Sequence, residues 1–369
     1  MLGKPTQMSP IRAADPSIDP RYSIALTSID KDNTPADDVS ICGPFFAAAE
    51  FLEGRHKSGR IAVAALKSGS GSTIPQLSHP ESAEVLAQIR LAPRLDRVGE
   101  HWGFRPMTEF HATNDRATFD AGSSGTVPVI GGRGFELWNP STGEIYAKGN
   151  RGKIESALQA KRQRQIRLAS SAFHGQSLAW AKDITTLPFR NVRIAFRDIV
   201  RATDTRTMIA ALIPPGVALT NKAPYLFRSD GSASAEAYLL GVLSSIPLDW
   251  YARKYVELGM NFHLFRGLPI PRMGEDKFSL RVVTISGRLA AVDERYTDWA
   301  SEVGVPVGSV KAPAEKDDLI AELDALTSLL YGLTEKQVEH LFATFHRGWN
   351  YEPRLAAVLE HYRKWKGKA

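Results

Sequence analysis

Arg193-Ile-Ala-Phe-Arg-Asp-Ile-Val-Arg-Ala-Thr-Asp-Thr-Arg-Thr-Met-Ile-Ala-Ala-Leu-Ile-Pro214 sets four arginines and two aspartates among apolar residues. Read as a helix from about Arg197, positions 197, 201 and 204 follow i, i+4, i+7 spacing and share a polar face, while Ile194, Val200 and Ile209 turn inward. Such a face is cationic. Arg197, Arg201 and Arg206 suit phosphate oxygens, or one of them suits a guanine edge in bidentate fashion. Asp198 or Asp204 then orients a guanidinium or accepts from cytosine. The alternative is an Arg/Asp ion-pair lattice that braces the fold. Arg190 and Arg193 extend the same patch.

Working outward, the segment from Tyr146 to Arg206 carries thirteen Lys and Arg against four acids. That surplus exceeds the +6 of the whole 369-residue chain, so the rest is slightly acidic and the basic character is local. A pI near 9.3 fits a polyanionic partner. Apolar residues at 43% and charged ones at 23% are ordinary for a packed globular protein, and the length predicts two domains with a small helical appendage. One cysteine, Cys42, excludes an internal disulfide and a cysteine zinc cluster, which points to a reducing cytoplasm. Met1 to Pro16 has no apolar signal core, and Tyr238 to Tyr251 is too short and too polar to span a bilayer.

Residues 20–28 and 39–46 read as strands around a polar turn, Ser68 to Ser72 as a Gly/Ser linker, and Ser82 to Ile89 as a short helix. A strand-rich stretch runs from Pro106 to Tyr146, broken at 121–125 and 131–134. Residues 151–169 predict a basic helix, and 235–257 a helix with a buried aromatic side that Pro247 kinks or restarts. Val303 to Ala314 reads as a loose linker. Leu319, Leu323, Leu326 and Leu330 make one apolar stripe on a helix stopping at Gly332. Thr334 with Gln337 forms a capping box for a second helix bearing Val338, Leu341, Phe342 and Phe345, so a helical hairpin is expected.

Catalytic patterns are missing. There is no Asn/Asp-Pro-Pro-aromatic loop: Pro214-Pro215 follows Ile213, and Asn139-Pro140 precedes Ser141. Gly131-Gly-Arg-Gly134 lacks the spacing of a phosphate cradle and reads as a turn. Glu315-Lys316-Asp317 has the wrong spacing for a magnesium nuclease and sits at a helix start. His101, His111 and His174 make no His-x-x-x-His pair, and Gly69-Ser-Gly71 is no nucleophile elbow.

Three stretches carry a resemblance. Glu109-Phe-His-Ala-Thr-Asn-Asp-Arg116, after Trp102, is similar to the acidic-aromatic-x-x-Thr-Asn-Asp run just past the catalytic domain of type IIG restriction enzymes and phage-defence adenine methyltransferases. Val127-Pro-Val-Ile-Gly-Gly-Arg-Gly-Phe-Glu-Leu-Trp138 resembles a strand of that family, and Arg193 to Pro214 resembles its target-recognition motif. Downstream, Asn261-Phe-His-Leu-Phe-Arg-Gly-Leu-Pro-Ile-Pro271 looks like its closing strand, and Glu322 to Leu333 its terminal helix. The matches keep family order from about residue 20 to 365. Arg21-Tyr-Ser-Ile-Ala-Leu26, similar to the segment just past the catalytic domain, lies here almost at the first residue.

The resemblance implies an α+β recognition protein. Residues 1–94 would be an N-terminal β-containing adaptor, 95–275 the target-recognition domain, and 276–369 a C-terminal helical region. The implied partners are double-stranded DNA and a catalytic adenine-specific methyltransferase subunit. S-adenosylmethionine would be bound by that subunit, with no cofactor and no catalytic residue in this chain. Candidate DNA contacts are Arg133, Lys148, Arg190, Arg193, Arg197, Arg201, Asp204, Arg206, Asn221, Lys222 and Arg266. Asn221 and Lys222 occupy a turn able to enter a groove, with Asn suited to adenine N6/N7. Trp138, Phe104, Trp250 and Tyr251 are expected in the core. A complete methyltransferase or endonuclease and a module that binds protein instead of DNA are the two alternatives.

Overall fold

The computed structural model describes residues 6–9, 24–26, 37–43, 45, 48–54, 56, 58–64, 75, 77, 79, 81–96, 104–228 and 232–368. His101, Trp102, residues 21–23 and the Gly/Ser stretch 68–72 lie outside them. The described strands are β1 (Thr6–Ser9), β2 (Ile24–Leu26), β3 (Asp38–Cys42), β4 (Gly59–Ala62), β5 (Phe104–Met107), β6 (Val127–Ile130), β7 (Ala147–Gly149), β8 (Arg193–Phe196), β9 (Ala210–Ile213), β10 (Ala218–Leu219) and β11 (Tyr225–Arg228). They form three small sheets, ordered β2-β1-β3-β4, β10-β6-β7 and β5-β11-β8-β9.

The helices are α1 (Ala48–Gly54), α2 (Glu81–Ile89), α3 (Arg116–Phe119), α4 (Arg151–Gln165), α5 (Leu178–Lys182), α6 (Ala233–Ser244), α7 (Ile246–Ala252), α8 (Phe262–Arg266), α9 (Lys277–Ala290), α10 (Thr297–Val303), α11 (Pro313–Leu330), α12 (Glu335–Ala343) and α13 (Glu352–Lys366). The class is therefore α+β, as expected. Among the described residues, no helix is long and apolar enough to cross a membrane.

Local signals place the helices well. Pro247 falls in the first turn of α7, where its missing N–H costs nothing, and Ser245 breaks the chain from α6 with an extended backbone. Gly332, at φ +69°, ends α11 in the left-handed region open to glycine. The Thr334 hydroxyl then accepts from the Gln337 N–H at 3.3 Å, while the Gln337 side chain accepts from the Thr334 N–H at 2.9 Å. The hairpin differs in its partner. α11 packs most extensively on α13 and α9, and α12 lies against α2, α7 and α13.

Two expectations from sequence are corrected. The segment from Arg197 is not a helix: β8 runs into an irregular loop over 197–209 that leads to β9. Three threonines, two aspartates, Ile199 and Val200 all favour other conformations, since Asp and Thr side chains compete for backbone N–H groups. The Asp204 carboxylate does so here, accepting from the Arg201 N–H at 2.8 Å. The expected closing strand begins instead as α8, capped by Asn261. Only afterwards does it extend, when the Leu95 N–H donates to Leu268 O and Ile270 N–H to Pro93 O.

The largest apolar cluster draws on the whole chain: Ile41 and Leu86, then Phe196, Tyr238 and Trp250, then Ile285, Leu323 and Tyr362. Trp138, Phe104, Trp250 and Tyr251 all belong to it. Cys42 is buried.

Candidate nucleic-acid interface

Three segments run parallel. β6 pairs with β10 in parallel register, and Phe110 pairs in parallel with Thr220 on the other side. Their carboxyl ends therefore emerge along one edge, as the loops 111–115, 131–136 and 220–223. These loops are bound to one another. Asn221 Oδ1 accepts from the Ala112 N–H at 2.9 Å, Tyr146 donates to Ala112 O, and Thr142 donates to Arg133 O. His111 Nδ1 accepts from the Asn114 N–H at 3.2 Å, which leaves the ring proton on Nε2. A Cβ at Gly132 would sit 2.7 Å from Lys222 O, so glycine is what lets the Arg133 turn close on the Lys222 turn.

The 197–207 loop adjoins this edge and is held from several sides. Arg197 donates to Gly132 O, Phe135 O and the Glu136 carboxylate. Asp198 accepts from Met260 N–H through its carbonyl and pairs with Lys222 Nζ at 3.1 Å. Arg253 reaches Ala202 O, Asp204 O and Thr205 O, and His346 bonds Thr203 O. Arg206 and Thr207 N–H both bond the buried Asp249 carboxylate.

Most of the motif's cations serve as braces. Arg193 is buried, pairing with buried Glu109 at 2.7 Å and donating to Val217 O. Glu109 in turn accepts from Leu219 N–H, so the pair fastens the third sheet to β10. Arg190 makes a bidentate pair with Glu155, which also meets Arg151. Lys161 caps the carbonyls of Thr108 and Glu109, and buried Arg162 caps those of Ala181 and Asp183. Seven of the thirteen cations between 146 and 206 are thus engaged internally. Asn221 and Asp204 are likewise committed to backbone N–H groups.

No family model and no curated protein matches this chain. Among solved structures, the Type IIL restriction-modification enzyme MmeI in complex with DNA aligns at 14% identity and TM-score 0.31. The alignment covers 75% of this chain and 37% of that one, so the chain spans little more than a third of that enzyme's length.

The remaining candidates are exposed. Arg133, Lys148, Arg201 and Arg266, with Lys153, Arg164, Arg167 and Lys182 outside the candidate set, have no side-chain hydrogen-bond or ion partner among the described residues. Two supporting residues were not singled out from sequence, Asp249 and Arg253. Their spacing of four on one helical turn was the available signal. Glu315 pairs with Arg288, and Lys316 reaches Trp138 O, so this acidic run braces helices. Among the described residues, no group of three or more His, Cys, Asp or Glu is placed to hold a metal ion.

Proposed function

We propose that this chain is the duplex-DNA recognition part of an adenine-N6 methyltransferase of the restriction-modification type, acting with a separate catalytic subunit in the cytoplasm. Residues 95–275 carry the recognition surface. The S-adenosylmethionine chemistry belongs to the partner. Phosphate contacts position the duplex, and base-edge contacts specify the site.

The observation that carries this reading is the 197–207 loop, cross-braced by Asp249 and Arg253 and yet presenting Arg201 with its guanidinium unused. A guanidinium on a rigid support loses little entropy when it binds a phosphate or a guanine edge. Arg133, Lys148, Lys222 and Arg266 are the further proposed contacts. Arg190, Arg193, Arg197, Asp204, Arg206 and Asn221 shape the surface from beneath. The ordered family-like motifs from Glu109 to Leu333 support the same assignment.

The test is duplex binding by the purified chain, followed by anisotropy between about 50 and 200 mM salt. The log–log slope should be steep, about 0.9 per phosphate contact, and smaller in Arg201→Ala and Arg133→Ala. A flat response in the unaltered chain overturns the reading. Co-purification of a second chain bearing an Asn/Asp-Pro-Pro-aromatic loop tests the partner.

A further inference from the structure

Ile199 is 56% exposed in the middle of this braced loop, although Val200 beside it is fully buried. Single exposed apolar side chains are ordinary on protein surfaces, so the exposure of Ile199 has weight only through its place on a braced loop beside an unpartnered guanidinium. Here the backbone on both sides is fixed. Asp198 N–H donates to Lys222 O at 3.3 Å, Asp198 O accepts from Met260 N–H at 2.8 Å, and Arg201 N–H is held by Asp204. A second apolar side chain, Leu258 at 39% exposure, stands next to Gly259, whose close approach to Asp198 O leaves no room for a Cβ. Two residues beyond Ile199, the exposed Arg201 side chain has no hydrogen-bond or ion partner among the described residues, and the Lys222 ammonium is paired with the carboxylate of Asp198, the residue before Ile199.

An exposed apolar side chain on a braced loop that also carries an unpartnered guanidinium matches one feature of a double helix. Base edges in the grooves are polar, with one exception: the C5-methyl of thymine, which faces the major groove. Phosphates line that groove on both sides, within reach of cations flanking an inserted tip. Resting on the DNA-binding reading above, we infer that Ile199 reads a thymine methyl in the major groove, with Leu258 beside it and Arg201 and Lys222 on the flanking backbone. The contact adds a specificity element that none of the polar residues supplies.

The experiment begins by selecting bound duplexes from a randomised pool with the purified chain. Each thymine of the selected site is then replaced by deoxyuridine, which removes only the methyl group. At one position the replacement should weaken binding about fourfold, the factor that burial of a single methyl carries. Ile199→Ala should bind the thymine and uracil duplexes equally there, and Ile199→Val should keep part of the difference. Thermal melting of both variants should match the parent, because the side chain is exposed. A selected site without thymine, a parent chain indifferent to every replacement, or an unchanged loss in Ile199→Ala overturns the inference while leaving DNA binding intact. Failure to select any duplex removes the DNA-binding reading itself.

Discussion

Arg206 donates through Nε to the carboxylate of Asp249 at 2.6 Å, and the same carboxylate, wholly buried, also faces Nη2 of Arg253 at 3.4 Å. One acid thus holds two guanidinium groups and the Thr207 N–H; Arg253 in turn holds the loop carbonyls of Ala202, Asp204 and Thr205, while Arg206, itself in the loop, donates to Ser244 O of α6. Asp249→Ala leaves Arg253 buried without a counter-charge. The expected loss is about 3–5 kcal/mol of unfolding free energy, read from urea denaturation. Arg201→Ala should stay within about 0.5 kcal/mol, since its side chain is exposed and makes no hydrogen bond or ion pair among the described residues. The same Arg201→Ala change should cost about 1–3 kcal/mol in duplex binding if the side chain reads a base. Parallel stability and binding series separate brace from contact.

Glu109 and Arg193 invite a second comparison. Arg193→Met strands a carboxylate at 2% side-chain exposure, and about 3–5 kcal/mol should be lost. Adding Glu109→Gln removes the stranded charge while keeping an acceptor for Leu219 N–H. The double variant should therefore be more stable than Arg193→Met alone. Equal midpoints in denaturant for the single and double variants would contradict a charge-pair role.

Gly132→Ala tests the edge where the loops meet. The new methyl would lie 2.7 Å from Lys222 O and 2.9 Å from Arg197 Cγ, so the Arg133 and Lys222 turns must separate. Duplex affinity should fall at least tenfold, about 1.4 kcal/mol. Circular dichroism should remain that of the parent. An unchanged affinity would remove these two turns from the proposed surface.

Lys254 gives a pH signature. Its Nζ lies over the Trp250 ring at 4.4 Å, and burial, with neighbouring Arg253 as a lesser cause, lowers its pKa to about 7. The unfolded side chain titrates near its ordinary value of about 10.4. Between these limits the unfolded state binds more protons, so stability rises with pH across roughly 7 to 10 and is lowest, from this group, below 7. Lys254→Met should abolish that rise and be the more stable protein at neutral pH. The measurement is the difference in urea midpoint between the two proteins at several pH values. A constant difference would show that Lys254 titrates normally.

The C-terminal helices were readable because their signals are local. The leucine stripe on α11, the glycine at φ +69° and the Thr334–Gln337 box each depend on steps of no more than four positions along the chain. The restart at Pro247 is legible for the same reason, whereas the stretch from Pro106 to Tyr146, expected to be rich in strands, holds only the end of β5 and β6 between short helical turns and irregular loops. The chain after Arg197 is a loop despite the helical spacing of its charges, because its Thr and Asp residues have poor helix propensity and bond to nearby backbone instead.

Composition, order of motifs and helix punctuation follow from the chain alone, since each depends on neighbours along the backbone. Which arginines are braces and which are free was settled only in three dimensions. Arg193, Arg197, Arg206 and Arg190 find Glu109, Glu136, Asp249 and Glu155 across distant stretches of sequence, while Arg201 and Arg133 pair with no acid among the described residues. A guanidinium's role depends on whether folding brings a carboxylate within about 3 Å of it, and no spacing rule encodes that meeting.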